Sequence, residues 1–104
     1  MAQAIGFVEV FGLVAAFAAG DAGCKAADVT MEPFDKNKPA NADKLPVPLI
    51  VLIKFRGSVE DVRAAVEAAK ATAESLTGVI SSYVIPSPDP QTEPMFKIKA
   101  FDKN

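Results

Sequence analysis

Residues 4–27, AIGFVEVFGLVAAFAAGDAGCKAA, limit the possible folds of this chain more than any other stretch. The apolar run over 4–10, with Glu9 near its end, predicts a buried strand bounded by Gly12. Over 13–27 the residues are almost all small and the period becomes helical. Leu13, Phe17, Gly20 and Cys24 recur at spacings of four, three and four, which places them on one face. Asp21, Lys25 and Asp28 lie away from it, with Asp21 and Lys25 at i,i+4 spacing. Gly20 and Gly23 each lower helix propensity by about 1 kcal/mol relative to Ala, so the pattern points to close packing against another backbone. Such a helix offers little side-chain chemistry to a substrate.

Further along, 29–34 reads as a second strand weakened by Pro33, and 35–48, DKNKPANADKLPVP, as a polar loop that Pro39, Pro46 and Pro48 keep irregular. The nearly unbroken apolar run over 49–55 predicts a central strand covered on both faces. A capping-box-like pattern at 58–61 opens a second helix. Its buried stripe is Val59, Val62, Val66, Ala69 and Leu76, its solvated ladder is Arg63, Glu67, Lys70 and Glu74, and Gly78 closes it as C′. A fourth strand over 79–85 stops at Pro86, Pro88 and Pro90. Phe96, Ile98 and Ala100 then alternate with Lys97, Lys99 and Phe101, the period of a half-exposed strand. The order β-α-β-β-α-β plus a tail predicts an α+β, ferredoxin-like antiparallel sheet with both helices on one face. All 104 residues read as one domain, with core 4–90, extended loop 35–48 and C-terminal tail 91–104.

Composition excludes several function classes. A net charge of −2 leaves no electrostatic footprint for nucleic acid, and dispersed lysines give no stripe for a membrane surface. The apolar N-terminal run lacks a basic n-region and is interrupted by Glu9, which argues against export. The longest later apolar run, 47–53, is far below the roughly 20 residues of a membrane span. The expectation is a soluble, cytoplasmic protein. There is no histidine, the commonest general base and metal ligand. One cysteine cannot build a zinc or iron–sulfur site within a chain. The early glycines match no phosphate loop. Ser81 and Ser82 have no visible base, and Glu60, Glu67 and Glu74 fall on a solvated helix face. No enzyme, metal or cofactor is expected. Cys24 reads as a small buried hydrophobe beside Phe17 and Leu13, the alternative being a ligand shared around a symmetric ring. Half the residues are hydrophobic, and so short a chain leaves apolar surface for a partner subunit.

Four fragments, in order and correctly spaced, resemble the shell-forming domain of bacterial microcompartments. They are AIGFVEVFGL (4–13), DAGCKAADV (21–29), Arg56-Gly57, and VIPSPD (84–89). The order is that of the single-domain, hexamer-forming class of the propanediol and ethanolamine utilisation and carboxysome shells. The resemblance implies a structural subunit: a flat cyclic homo-hexamer that tiles with other shell proteins and passes small metabolites through a central pore. Ala64, Ala68 and Ala71 would permit close approach between helices or subunits. Lys25, beside Asp21, matches a lysine at the tile edge; Ser87 stands where the family has the arginine reaching across it, and Asp89 replaces a histidine. Arginine's planar, multi-donor contact is beyond serine. The family's short G-S-G-like pore turn is replaced by an insertion over 36–48. In a ring, copies of Lys36, Asn37, Lys38, Pro39, Asn41, Asp43 and Lys44 would crowd the axis, narrowing the pore and biasing it toward anions. A distorted ring or pentamer is the alternative assembly. The loop has no cysteine, so the iron–sulfur binding linked to some shell proteins of glycyl-radical compartments does not carry over. A ferredoxin-like regulatory oligomer, enclosing a small molecule with the long loop, is the alternative function.

Overall fold

The computed structural model describes residues 3–99. Strand β1 (Ala4–Phe11) leads through Gly12 into α1 (Leu13–Ala26), and β2 (Thr30–Asn37) is followed by a loop with a 3-10 turn at Ala42–Lys44. Then come β3 (Ile50–Gly57), α2 (Val59–Glu74), β4 (Val79–Ile85) and a C-terminal 3-10 turn (Glu93–Lys97). The sheet order is β2-β3-β1-β4 with every neighbouring pair antiparallel, the ferredoxin-like arrangement expected from the element order.

Register assigns the two faces. Gly6↔Phe55, Val8↔Ile53 and Val10↔Val51 lie under the helices; Ile5↔Arg56, Phe7↔Lys54 and Glu9↔Leu52 lie on the other side. Gly6 allows α2 to sit directly on β1: a Cβ there would come 2.6 Å from both Val62 Cγ1 and Val66 Cγ2. Gly23 does the same for α1, where a Cβ would meet Phe55 Cζ at 2.4 Å. Gly23 thus acts as expected, through close approach, whereas Gly20 faces the flexible end of Met31. Ser58 caps α2 by accepting from Asp61 N at 3.1 Å while its hydroxyl donates to Asp61 Oδ2 at 2.9 Å.

Five sequence expectations need correction. The buried face of α1 is Ala15, Ala16, Ala19, Gly20 and Gly23; Gly20 alone of the four residues placed on one face is buried, while Phe17 is 62 % exposed and Leu13 37 %. Alanines let the helix come close enough to exclude larger side chains from that seam, so the large ones point sideways. Second, β2 runs three residues into the segment read as loop, because Asp35, Lys36 and Asn37 pair with Leu52, Val51 and Ile50. Pro33 is absorbed by a register shift between Glu32 and Asp35, the bulge position where a missing N–H does least harm. Third, α2 buries Ala65 and Ala73 besides Val62, Val66 and Ala69, while Leu76 lies beyond its end and is exposed. Fourth, α2 ends at Glu74 with Ser75 as its cap; Gly78 ends the turn that follows, its N–H reaching Ala73 O at 2.8 Å. Fifth, the tail forms a 3-10 turn in place of a strand, because Phe96 is buried against Phe7, with ring centroids 5.7 Å apart. Ala100 and Phe101 of that expected alternation lie outside the described residues.

Candidate pore loop and tile edge

The candidate pore residues cluster at one end of the sheet. Lys36 and Asn37 end β2 in ladder pairing, and Lys38 and Pro39 follow. Asn41 precedes the 3-10 turn that carries Asp43 and Lys44. The turn is held by Ala42 N–H on Pro39 O (3.0 Å), Lys44 N–H on Asn41 O (2.9 Å) and Leu45 N–H on Ala42 O (3.1 Å). Ala42 is buried, which pins the loop and leaves Lys38, Asn41, Asp43 and Lys44 exposed. The return strand is tied to the β1–α1 turn: Gly12 N–H donates to Leu49 O at 2.8 Å, and a Cβ at Gly12 would meet Val47 at 3.2 Å. Gly12 has φ +89°, left-handed backbone that favours glycine. Beside the loop, Glu9, Asp35, Lys36, Asn37, Ile50 and Leu52 line a small notch of about 90 Å³, and Ser81 Oγ donates to Glu9 Oε1 at 2.7 Å.

The candidate edge residues lie at the opposite end. Lys25 Nζ is 2.8 Å from Asp21 Oδ2, both exposed on the last turns of α1. Asp21's hydrogen bond and charge hold the Lys25 ammonium above its ordinary pKa. Ile5 pairs with Ile85 and Ala4 with Gly57, so β4 runs out toward Ser87 at that same end. Ser87 is exposed, next to buried Pro88. Cys24 is exposed, which corrects its reading as a buried hydrophobe. Partial burial, and secondarily Asp21's charge, push its thiol pKa up, away from the thiolate.

The tail builds a third cluster on the helix-free face. Lys54, 2 % exposed in the middle of β3, donates to Phe96 O at 2.9 Å and Ile98 O at 2.6 Å. Arg56 Nη2 lies 3.0 Å from both oxygens of Glu93, and its guanidinium carbon is 5.5 Å from the Phe96 ring centroid. Glu32 bridges Arg56 Nε at 3.9 Å and Lys97 Nζ at 3.3 Å. Burial lowers the Lys54 pKa, with Asp35 and then Glu32 partly opposing. Reading 49–55 as one apolar run passes over this cluster. The signal is Lys54 itself, a charge inside a central strand, which needs a buried partner.

On one flank of the sheet, Leu13, Phe17, Met31 and Phe34 project from α1 and β2, with Phe17 packed edge-on to Phe34 at 5.2 Å. On the opposite flank, Leu76, Ile80 and 70 % exposed Tyr83 project beside a groove of about 530 Å³ between α2 and β4, lined by Arg63, Val66, Glu67, Ser82, Tyr83, Val84 and Pro86. No cluster of three metal-ligating side chains exists among the described residues, and no described helix is long and apolar enough to cross a membrane.

Known proteins share this sequence pattern and fold. The BMC domain family model matches residues 4–88. The carboxysome shell protein CcmK3 of Halothece sp. is 34% identical over 105 residues, covering 99% of this chain and 94% of that protein. The bacterial microcompartment shell protein PduA of Citrobacter freundii is 34% identical over 91 residues, covering 88% of each chain. A solved microcompartments protein from Desulfitobacterium hafniense DCB superposes with TM-score 0.71 at 26% identity; it matches 96% of this chain, which spans about half (49%) of that one.

Proposed function

The chain belongs to the BMC domain family, and from that premise we propose that its copies close head to tail into a hexameric tile of a microcompartment shell, with residues 36–48 around the central pore. Its relatives are shell proteins, so the role is structural and not enzymatic. The comparisons lend no support to a regulatory oligomer.

The observation that carries the ring is the placement of three features on the sheet. The loop stands at one end, Lys25 and Ser87 at the other, and the exposed apolar side chains on the two remaining flanks. A head-to-tail contact needs two different patches on one subunit, and a closing rotation turns them into a ring. With the loop inward, the flanks meet between neighbours and the Asp21–Lys25 end becomes the rim against the next tile. Each copy then brings Lys36, Lys38 and Lys44 against Asp43 near the axis, a positive ring that draws anionic metabolites. Ser87 at the rim weakens tile-to-tile contact, and other shell proteins complete the sheet. Microcompartments lie in the cytoplasm, where this subunit would reside.

Electron microscopy of the purified protein tests the ring: six-fold particles are expected, and a monomer at high concentration would overturn it. Conductance of the reconstituted tile tests the pore: replacing Lys36, Lys38 and Lys44 with Gln is expected to reduce anion preference, and unchanged selectivity would remove the loop from the pathway.

A further inference from the structure

We infer that residues 89–98 form a strap that opens separately from the domain it crosses, uncovering Phe7, Lys54 and Arg56 on the helix-free face. The strap adds no strand to the sheet. Its backbone hydrogen bonds run within itself: Thr92 N–H on Asp89 O (3.0 Å), Met95 N–H on Thr92 O (3.0 Å) and Ile98 N–H on Met95 O (3.2 Å). Side chains alone tie it to the rest of the described chain. Lys54 donates to the Phe96 and Ile98 carbonyls, Arg56 grips Glu93, Lys97 reaches Glu32, and the Phe96 ring rests on Phe7. Phe96 is the one buried residue between 89 and 98. A segment with so little buried apolar surface and no ladder bonds opens at far lower cost than the strands beneath it.

The closed strap also carries an internal cost. Arg56 sets Nη2 on Glu93 and Nε toward Glu32, but its Nη1 is buried and finds no acceptor among the described residues. Lys54, 2 % exposed, has exchanged water for two carbonyls. Opening returns both cations to water, which offsets part of what is lost when Phe96 leaves Phe7. Upstream, Pro86, Pro88 and Pro90 have no N–H to offer a neighbouring strand, so β4 stops and the strap departs from the sheet there. Its anchors lie on the helix-free side of β1, β3 and Glu32. That face is clear of the loop, the rim and the two apolar flanks, so the strap opens in a ring as it does in a lone chain. Open, it bares an aromatic ring beside two cations.

The test follows acetylation of Lys54 in the full chain by an N-hydroxysuccinimide ester, read by mass spectrometry with exposed Lys38 as reference. Protection of Lys54 is its slowing relative to the urea-unfolded chain, and it is compared with the hydrogen-exchange protection of β1 and β3 amides. Lys54 is expected to be protected at least about a hundredfold less than those amides. Equal protection would mean that Lys54 is reached only when the whole domain unfolds, and would overturn the proposal. Two variants separate the openings. Val62→Ala, in the core on the other side of the sheet, is expected to lower amide protection in β1 by about tenfold or more and to leave Lys54 unchanged. A matching loss at Lys54 would again overturn the strap. Glu93→Gln is expected to lower Lys54 protection about three- to tenfold, a figure reduced for the partial exposure of Glu93. Unaltered Lys54 reactivity in that variant would remove the Arg56–Glu93 pair from the latch.

Discussion

Lys54 shows how one side chain decides where a segment lies. Burial in β3 makes its ammonium expensive, and the carbonyls of Phe96 and Ile98 are what it finds in place of water. Lys54→Met would leave both carbonyls without that donor and is expected to cost about 1–3 kcal/mol in denaturant unfolding, with faster amide exchange over 93–98. Unchanged exchange there would mean that Phe96 packing alone holds the turn. The pH dependence follows from the lowered pKa. Between that value and the ordinary 10.5, the unfolded chain binds the proton that the folded chain has released. Stability attributable to Lys54 therefore rises with pH across that window, and the gap between wild type and Lys54→Met is expected to widen there in favour of wild type. Cys24 offers a second residue-scale check. Its thiol is pushed up first by burial and then by Asp21, so Asp21→Asn is expected to speed its alkylation near neutral pH. An unaltered rate in a maleimide assay would mean that Asp21's charge does not reach the thiol.

At the scale of elements, α1 depends on which glycine is filled. An alanine at position 23 drives its Cβ into Phe55 at 2.4 Å and against the Ala65 backbone oxygen at 3.1 Å, neither of which yields easily. Gly23→Ala is expected to destabilise by about 1–3 kcal/mol. At position 20 the nearest atoms are Met31 Cε at 3.0 Å and Sδ at 3.1 Å, the far end of an adaptable side chain. Gly20→Ala is expected to be neutral or to stabilise by up to about 1 kcal/mol through helix propensity. Equal losses in thermal unfolding would refute the distinction. This contrast also marks how far local pattern reaches. The strands, both helices and the Ser58 cap are legible because each follows from a period or from one local hydrogen bond. The buried side of α1 is not legible from hydrophobicity, since alanine and glycine win the seam by size while Leu13 and Phe17 are turned out. The tail is misread because alternation over four or five residues cannot register a partner as distant as Lys54, 42 positions from Phe96. The loop's polar and proline content is legible, but its first residues extend β2 because β3 offers them pairing.

For the whole molecule, the two apolar flanks yield a prediction about assembly. Phe17→Glu charges the α1–β2 side and Tyr83→Glu the α2–β4 side, and in a head-to-tail ring either change alone leaves monomers. Mixed together, the two variants still own one intact pair of surfaces and are expected to form heterodimers that grow no further, as mass measured by light scattering would show. Rings formed by either single variant would mean that neighbours meet elsewhere. The candidate site is only partly legible in sequence for the same reason: loop and edge residues can be assigned to two opposite ends only once strand register is known.

The borders of the sheet are unequally protected. On one side, β2 carries Pro33, a bulge and several charges, which discourage a foreign strand from adding there. On the other, β4 is VISSYVI, seven residues without a charge or a proline, with Ile80 and Tyr83 in the open. A lone subunit is therefore most prone to misassociate along β4, the kind of segment from which fibrils seed. In an assembled tile, a neighbouring subunit packed over β4 would remove that hazard.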